Sequence, residues 1–331
     1  MFMANVQKST PEQLVGAVLD GDRRAIARAI SIVEDQLPGK VELLRKLYGR
    51  GSHTFICGIT GPPGVGKSTL VDKLAGRARG EGEQIGIVCV DPTSPFSGGA
   101  LLGDRIRMSD LSTDPGVFIR SMATRGSRGG LAKAAREVVV ILGATGADRV
   151  LLETVGVGQI ELDIVDTADT TIVVLVPESG DAIQAMKAGL MEIGDIFVIN
   201  KADREGADGL KIELETVLAM REEQEWTPPV LKTIASIGEG TGELVEAVEE
   251  HRAYLTRSGE GQQRRRQRLS AYVKEIVMEA LTQQLWEEDD LQKQLEERSD
   301  DVLEGRADPF AVAEEILVAS GMLASQEGDS V

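Results

Sequence analysis

Apolar residues recur at helical spacing from Pro11 to about Tyr48, through Leu14, Val18, Ile26, Ile30, Val33, Leu43, Leu44 and Leu47, with breaks at Asp20-Gly21 and Pro38-Gly39. The pattern predicts a small helical prelude. Short apolar runs then alternate with helical patterns: His53 to Ile59, Gln84 to Val90, Arg149 to Leu152, Thr171 to Val176, Ile196 to Ile199 and Val230 to Ile234. Runs so far apart cannot be joined by tight hairpins, so crossover connections are required. The fold expected is α/β, a mostly parallel central sheet with helices on both faces. After about Gly240 the strand pattern stops and helices rich in Glu, Arg and Gln follow. Within them Leu269, Val273, Ile276, Ala280 and Leu285 form an apolar stripe. By pattern alone such a stripe faces its own core, and a dimerising arm is the alternative.

Composition narrows the partners. The 331 residues carry 54 acidic against 36 basic side chains, a formal charge of -18, which repels nucleic acid and anionic membrane. A phosphate-rich ligand therefore needs a dedicated local site. Aromatic residues make up 3%, too few for stacking on single-stranded nucleic acid, and the core must be aliphatic. No apolar run approaches the ~20 residues of a bilayer span, and no secretory pattern opens the chain; a cytoplasmic protein is expected. Cys57 and Cys89 fall in strand-like runs, and with His53 and His251 they cannot build a Cys/His metal cage. The basic run Arg264-Arg265-Arg266-Gln267-Arg268 reads as a solvated helix face or a dimer contact.

Gly61-Pro62-Pro63-Gly64-Val65-Gly66-Lys67-Ser68, continued by Thr69, has P-loop spacing and sits between the strand ending at Ile59 and the helical pattern Thr69 to Ala78. Its glycines let backbone N–H groups converge on phosphate oxygens, and the helix N-terminus adds its dipole. Lys67 is expected to reach the β and γ phosphates, and the Ser68 hydroxyl to ligate Mg²⁺. Asn200-Lys201-Ala202-Asp203 follows directly on a later strand. There the Asp203 carboxylate would accept from guanine N1 and the exocyclic amine, whereas adenine offers no such donors. Asn200 would bond N7 and bridge toward the P-loop, and the Lys201 stem would cover the base. GTP, not ATP, is the expected ligand. Ile234-Ala235-Ser236 would wall the base, with the Ala235 N–H on guanine O6.

Acidic residues stand where a nucleotide sensor needs them. Asp91 and Glu153 end strands, Asp104 sits in the loop Pro92 to Met108, and Asp181 follows the strand ending at Val176. Magnesium takes one or two carboxylates plus phosphate oxygens and water; Ser68 and Asp104 are the expected direct ligands, with Asp91 and Glu153 acting through water. The Gly156 N–H can meet the γ phosphate. Many GTPases carry a water-orienting Gln immediately after that glycine, but here the place holds Val157 and the nearest Gln is Gln159. Slow intrinsic hydrolysis, raised by a partner, is expected.

Together these motifs resemble the MeaB-type, ArgK-like GTPases associated with methylmalonyl-CoA mutase, within the SIMIBI class of P-loop GTPases. The most specific stretches are Val90 to Gly99 running into Gly103 to Met108, Glu153 to Gln159, and Gly180 to Gly189 with Met191-Glu192-Ile193. The resemblance implies a GTP-dependent chaperone for an adenosylcobalamin-dependent acyl-CoA mutase, gating cofactor loading, protection and reactivation. It implies a homodimer through C-terminal helices, which favours the dimer-arm reading of the stripe. It also implies a switch over Pro177 to Lys187, including Glu178, Asp181, Gln184 and Lys187, with Gln159 in a neighbouring one. The sequence departs from the usual pattern at Ser127, Ile160, Glu178 and Ile234, none of which removes a phosphate or metal group. The expected division is a helical segment 1–50, a P-loop GTPase domain 51–257 and a dimerisation arm 258–331.

Three other readings compete. A nucleotide-dependent kinase or transport ATPase conflicts with Asn200 to Asp203. A nickel-type metal-delivery GTPase would need Cys or His clusters. A cobalamin carrier would need the D-x-H-x-x-G loop, and neither His53 nor His251 has Asp two residues before and Gly three after. The cofactor is therefore expected on the partner.

Overall fold

The computed structural model describes residues 10–51, 53–91, 109–123, 130–154, 163–177, 189–221, 225–286 and 289–323, with only the backbone at 91, 109–110, 123, 130–132 and 289. The helical prelude is three helices, α1 (Pro11–Leu19), α2 (Arg23–Glu34) and α3 (Lys40–Leu47). Thr10 and Gln13 cap α1 reciprocally, satisfying first-turn N–H groups that have no partner inside the helix. Gly39 opens α3 at φ +90°. The helices share a core with α6 (Gly130–Ala144) through Val18, Ile30, Val33 and Leu47 against Val138, Ile141 and Leu142. Lys40 and Glu137 close that contact with a buried ion pair at 2.8 Å.

Seven parallel strands form the sheet: β1 (Phe55–Thr60), β2 (Ile85–Asp91), β3 (Val117–Ala123), β4 (Arg149–Glu153), β5 (Thr170–Leu175), β6 (Ile196–Asn200) and β7 (Val230–Thr233), in the order β3-β2-β4-β1-β5-β6-β7. The sequence reading anticipated every strand but β3. Its Arg120 and Ser121 interrupt the apolar run after Ile119, although both faces are packed, Val117 and Ile119 in one core and Met122 in the other, with Arg120 paired to Glu34 of α2. Alternation sets the layers. On β5, Ile172 and Val174 face α4 (Lys67–Gly80) and α9 (Thr241–Ser258), whereas Val173 and Leu175 face α8 (Ala207–Ala219). Two short helices, α5 (Ser109–Ser112) and α7 (Leu190–Ile193), complete the connections between strands.

The chain divides into compact units 1–265 and 266–331. Helix α10 (Glu260–Trp286) begins in the first and carries most of its length in the second, which also holds α11 (Asp289–Leu303) and α12 (Pro309–Ala319). There Arg298 of α11 pairs with Glu315 of α12 at 2.8 Å, and Leu291, Val312 and Ile316 are buried. Most of the stripe on α10 does not face a core: Leu269, Val273 and Ile276 are 43–51% exposed and Ala280 is exposed, with Leu285 half-buried. The own-core reading of this stripe is thereby corrected.

Candidate nucleotide site

A parallel sheet brings the C-terminal ends of all its strands to one edge, where ligands of such folds bind. The P-loop leaves β1 at the centre of that edge, Glu153 ends β4, Asn200 ends β6, and Thr233 ends β7. Two glycines are required by close approach. A Cβ on Gly61, at φ +138°, would fall 2.1 Å from the Val174 carbonyl oxygen, and one on Gly66, at φ +97°, would fall 2.4 Å from Asn200 Nδ2. Val65 is buried between them, while Pro63 and Gly64 are exposed.

Lys67 and Ser68 open α4 and are buried. Lys67 Nζ reaches back over the loop, donating to the Gly61 and Pro62 carbonyls at 2.8 Å each. Ser68 Oγ donates to Glu153 Oε1 at 2.7 Å. Glu153 is buried, and the Cys89 thiol donates to its other oxygen at 3.8 Å, a contact that follows from the β2–β4 register pairing these residues. A hydroxyl and a carboxylate at the mouth of a P-loop form an all-oxygen donor set, the chemistry a hard divalent cation takes. The expected metal and switch residues Asp104, Gly156, Gln159, Glu178, Asp181, Gln184 and Lys187 lie outside the described residues, as do the side chain of Asp91 and the departures Ser127 and Ile160.

The base side is tied to the phosphate side. Asn200 Nδ2 donates to the Val65 carbonyl and Lys201 Nζ to the Gly64 carbonyl, each at 2.8 Å. Asn200 thus makes the P-loop bridge that its motif suggests. Lys201 has φ +56°, a left-handed backbone uncommon for a residue with a Cβ, which turns the chain sharply at the end of β6. Asp203 is exposed, and its carboxylate has no hydrogen-bond or ion-pair partner among the described residues. The Ala235 N–H, expected to meet guanine O6, donates to Asn200 Oδ1 at 3.0 Å. Ile234 is half-buried and turns back through a bridge to Glu239, and Ser236 is exposed.

Two contacts were missed because they lie between motifs. Thr233 Oγ1 donates to Asn200 Oδ1 at 3.1 Å, and Thr154 Oγ1 donates to Thr60 Oγ1 at 2.9 Å. Aligning the strand ends would have found the first, since Asn200 and Thr233 are register partners. The cysteines lie buried in β1 and β2 as expected, and burial pushes the Cys57 thiol up to about 12, so it stays protonated. The basic run is exposed from Arg265 to Gln267, as a solvated face would be, and Arg264 and Arg265 also pair with Asp195 and Asp169 at the opposite edge of the sheet.

A protein of Pyrococcus abyssi that bears the name GTPase is 49% identical over 96% of this chain and 99% of its own. The mouse mitochondrial protein named methylmalonic aciduria type A homolog is 31% identical over 93% of this chain and 79% of its own. A solved structure described as an LAO/AO transport system kinase superposes with a TM-score of 0.72 at 26% identity, covering 96% of this chain and 99% of that one. The family model described as methylmalonyl Co-A mutase-associated GTPase MeaB matches residues 26–290. With its parallel sheet and P-loop in place, the chain is a GTPase that belongs to the MeaB family.

Proposed function

We propose that this GTPase is a chaperone of an adenosylcobalamin-dependent acyl-CoA mutase, methylmalonyl-CoA mutase first among them, using GTP and GDP to gate cofactor loading, protection and reactivation. The observation that carries this reading is the extent of the family match. It runs through residues 26–290, far beyond the phosphate and base motifs, and the family is described by its association with that mutase. The name of the mouse relative points the same way.

Within the site, Lys67 would hold the β and γ phosphates, and Ser68 and Glu153 would hold Mg²⁺, the hydroxyl directly and the carboxylate through water. Bound Mg²⁺ neutralises charge developing on the phosphate oxygens. Asp203 chooses guanine and Asn200 holds its five-membered ring. Cobalamin stays on the mutase. The exposed apolar residues of α10 recur at spacings of three and four and support pairing of two copies, to be read as a solution mass twice that of the chain.

GTP hydrolysis by the purified protein, measured with and without each candidate mutase, tests the proposal. Slow hydrolysis alone, Mg²⁺ dependence, and a several-fold rise with a bound mutase are expected. If no cobalamin-dependent mutase binds or changes the rate, the chaperone assignment fails while the GTPase stands. The name of the solved relative raises transport-linked kinase activity as a second reading. No described helix is long and apolar enough to cross a membrane. A titration in which ATP displaces GTP at equal concentration would favour that second reading.

A further inference from the structure

The end of β7 supplies a hydroxyl that none of the nucleotide motifs includes. Thr233 is 1% exposed and lies in register with Asn200 on the neighbouring strand. Its Oγ1 and the Ala235 N–H both donate to Asn200 Oδ1, at 3.1 and 3.0 Å. On the far side Asn200 Nδ2 donates to the Val65 carbonyl at 2.8 Å. A carboxamide oxygen accepts two hydrogen bonds and its nitrogen donates two, so three of the four places are taken. Turned over, the amide would set its NH₂ against the Ala235 N–H and its oxygen against the Val65 carbonyl, while the Thr233 hydroxyl holds the oxygen in the orientation that these two groups select. Its orientation is therefore fixed, with a single Nδ2 hydrogen left to give. Gly66 makes room for that nitrogen, because a Cβ there would collide with it at 2.4 Å.

We propose that Thr233 is a positioning residue for nucleotide recognition: it locks the Asn200 amide so that the last Nδ2 hydrogen meets N7 of the purine. This rests on the reading above that the base lies beside Asn200. A division of labour follows. N7 is an acceptor in guanine and adenine alike, so the Thr233–Asn200 lock strengthens binding of either purine without choosing between them. The choice falls to Asp203, which meets N1–H and the exocyclic amine of guanine alone. Thr233 itself does not touch the nucleotide.

Binding of GDP, 7-deaza-GDP and ADP in excess Mg²⁺ tests this on the full chain, as wild type, Thr233→Val and Thr233→Ser, each checked by thermal melting. The wild type should prefer GDP over its 7-deaza analogue by about fivefold, one neutral hydrogen bond. Thr233→Val should weaken GDP by about the same factor, leave 7-deaza-GDP unchanged, and keep the ratio of GDP to ADP. Thr233→Ser, which retains the hydroxyl, should restore the N7 preference. Equal binding of GDP and 7-deaza-GDP by the wild type overturns the proposal with no variant needed, and so does an N7 preference that survives in Thr233→Val. A wild type that does not distinguish GDP from ADP would instead sink the guanine reading, leaving the N7 comparison to decide the lock separately.

Discussion

At the C-terminal edge of the sheet Lys67 and Lys201 donate to the backbone carbonyls of Gly61, Pro62 and Gly64. At the N-terminal edge Arg149, Arg264 and Arg265 are closed onto the carboxylates of Glu83, Glu249, Asp195 and Asp169. The same strands connect the two edges, yet their polar groups are treated oppositely. Below, Asp195 accepts from Arg264 at 2.9 Å and from the Thr171 N–H at 2.8 Å, Trp226 Nε1 donates to its carbonyl, and His251 Nε2 lies 3.4 Å from its carboxylate. Asp195 is 7% exposed, and removing its charge would take from Arg264 one of two carboxylate partners, leaving Glu260 at 2.7 Å. Above, a lysine on a carbonyl dipole can turn to a phosphate oxygen at little cost. One edge is arranged to stay as it is, the other to exchange partners.

Lys67→Ala should separate the edges most clearly. Charge-assisted hydrogen bonds contribute about 1.5–3 kcal/mol each, so losing those to two phosphates should weaken GTP by at least about a hundredfold, read by equilibrium binding. The melting temperature should move by no more than about 3 °C, roughly 1 kcal/mol in a domain of this size. A large fall in melting temperature would mean that Lys67 supports the fold as well.

Asp195→Asn is the converse change. Breaking a buried pair costs about 3–5 kcal/mol, discounted to about 2 kcal/mol here because Arg264 can regain water, so the melting temperature should drop by about 4–8 °C. Affinity for GTP, measured well below that temperature, should change less than twofold. A matching loss of affinity would show that the two edges are coupled through β6.

The smallest effect expected is a slope with pH. His251 is fully buried, with Nδ1 2.7 Å from Thr170 Oγ1. Burial lowers its pKa below the ordinary 6.5, Asp195 pulls the other way, and Arg264 adds to the lowering. Above pH 6.5 the ring is neutral both folded and unfolded and costs nothing. As pH falls below that value the unfolded chain takes up a proton that the folded chain refuses, so stability declines, by at most about 1.4 kcal/mol per pH unit. Melting temperatures of wild type and His251→Gln across this range should diverge in slope. Parallel curves would assign the titration to another group.

The legible parts of the molecule are those whose cause is local. The P-loop declared itself through Gly61 to Ser68 because backbone approach and phosphate chemistry both act within eight consecutive residues. The breaks at Asp20-Gly21 and Pro38-Gly39 marked helix ends for the same reason. What escaped was set by pairing across the fold. Arg264 and Arg265 looked like a solvated face because their partners Asp195 and Asp169 lie 69 and 96 residues away. Thr233 looked like an ordinary strand residue until register brought it beside Asn200, and β3 was hidden because Arg120 breaks its apolar run, its partner Glu34 lying 86 residues away.

The strand order has a kinetic meaning. β1, which carries the phosphate loop, is paired on both sides, while β7, which carries the wall beside Asn200, is a four-residue strand that among the described residues pairs only with β6. Edge segments of this kind open at lower free energy than central strands, so the amides around Thr233 should exchange with solvent before those around Thr60. A nucleotide leaving such a site would be loosened first at its base, with the phosphates the last to let go.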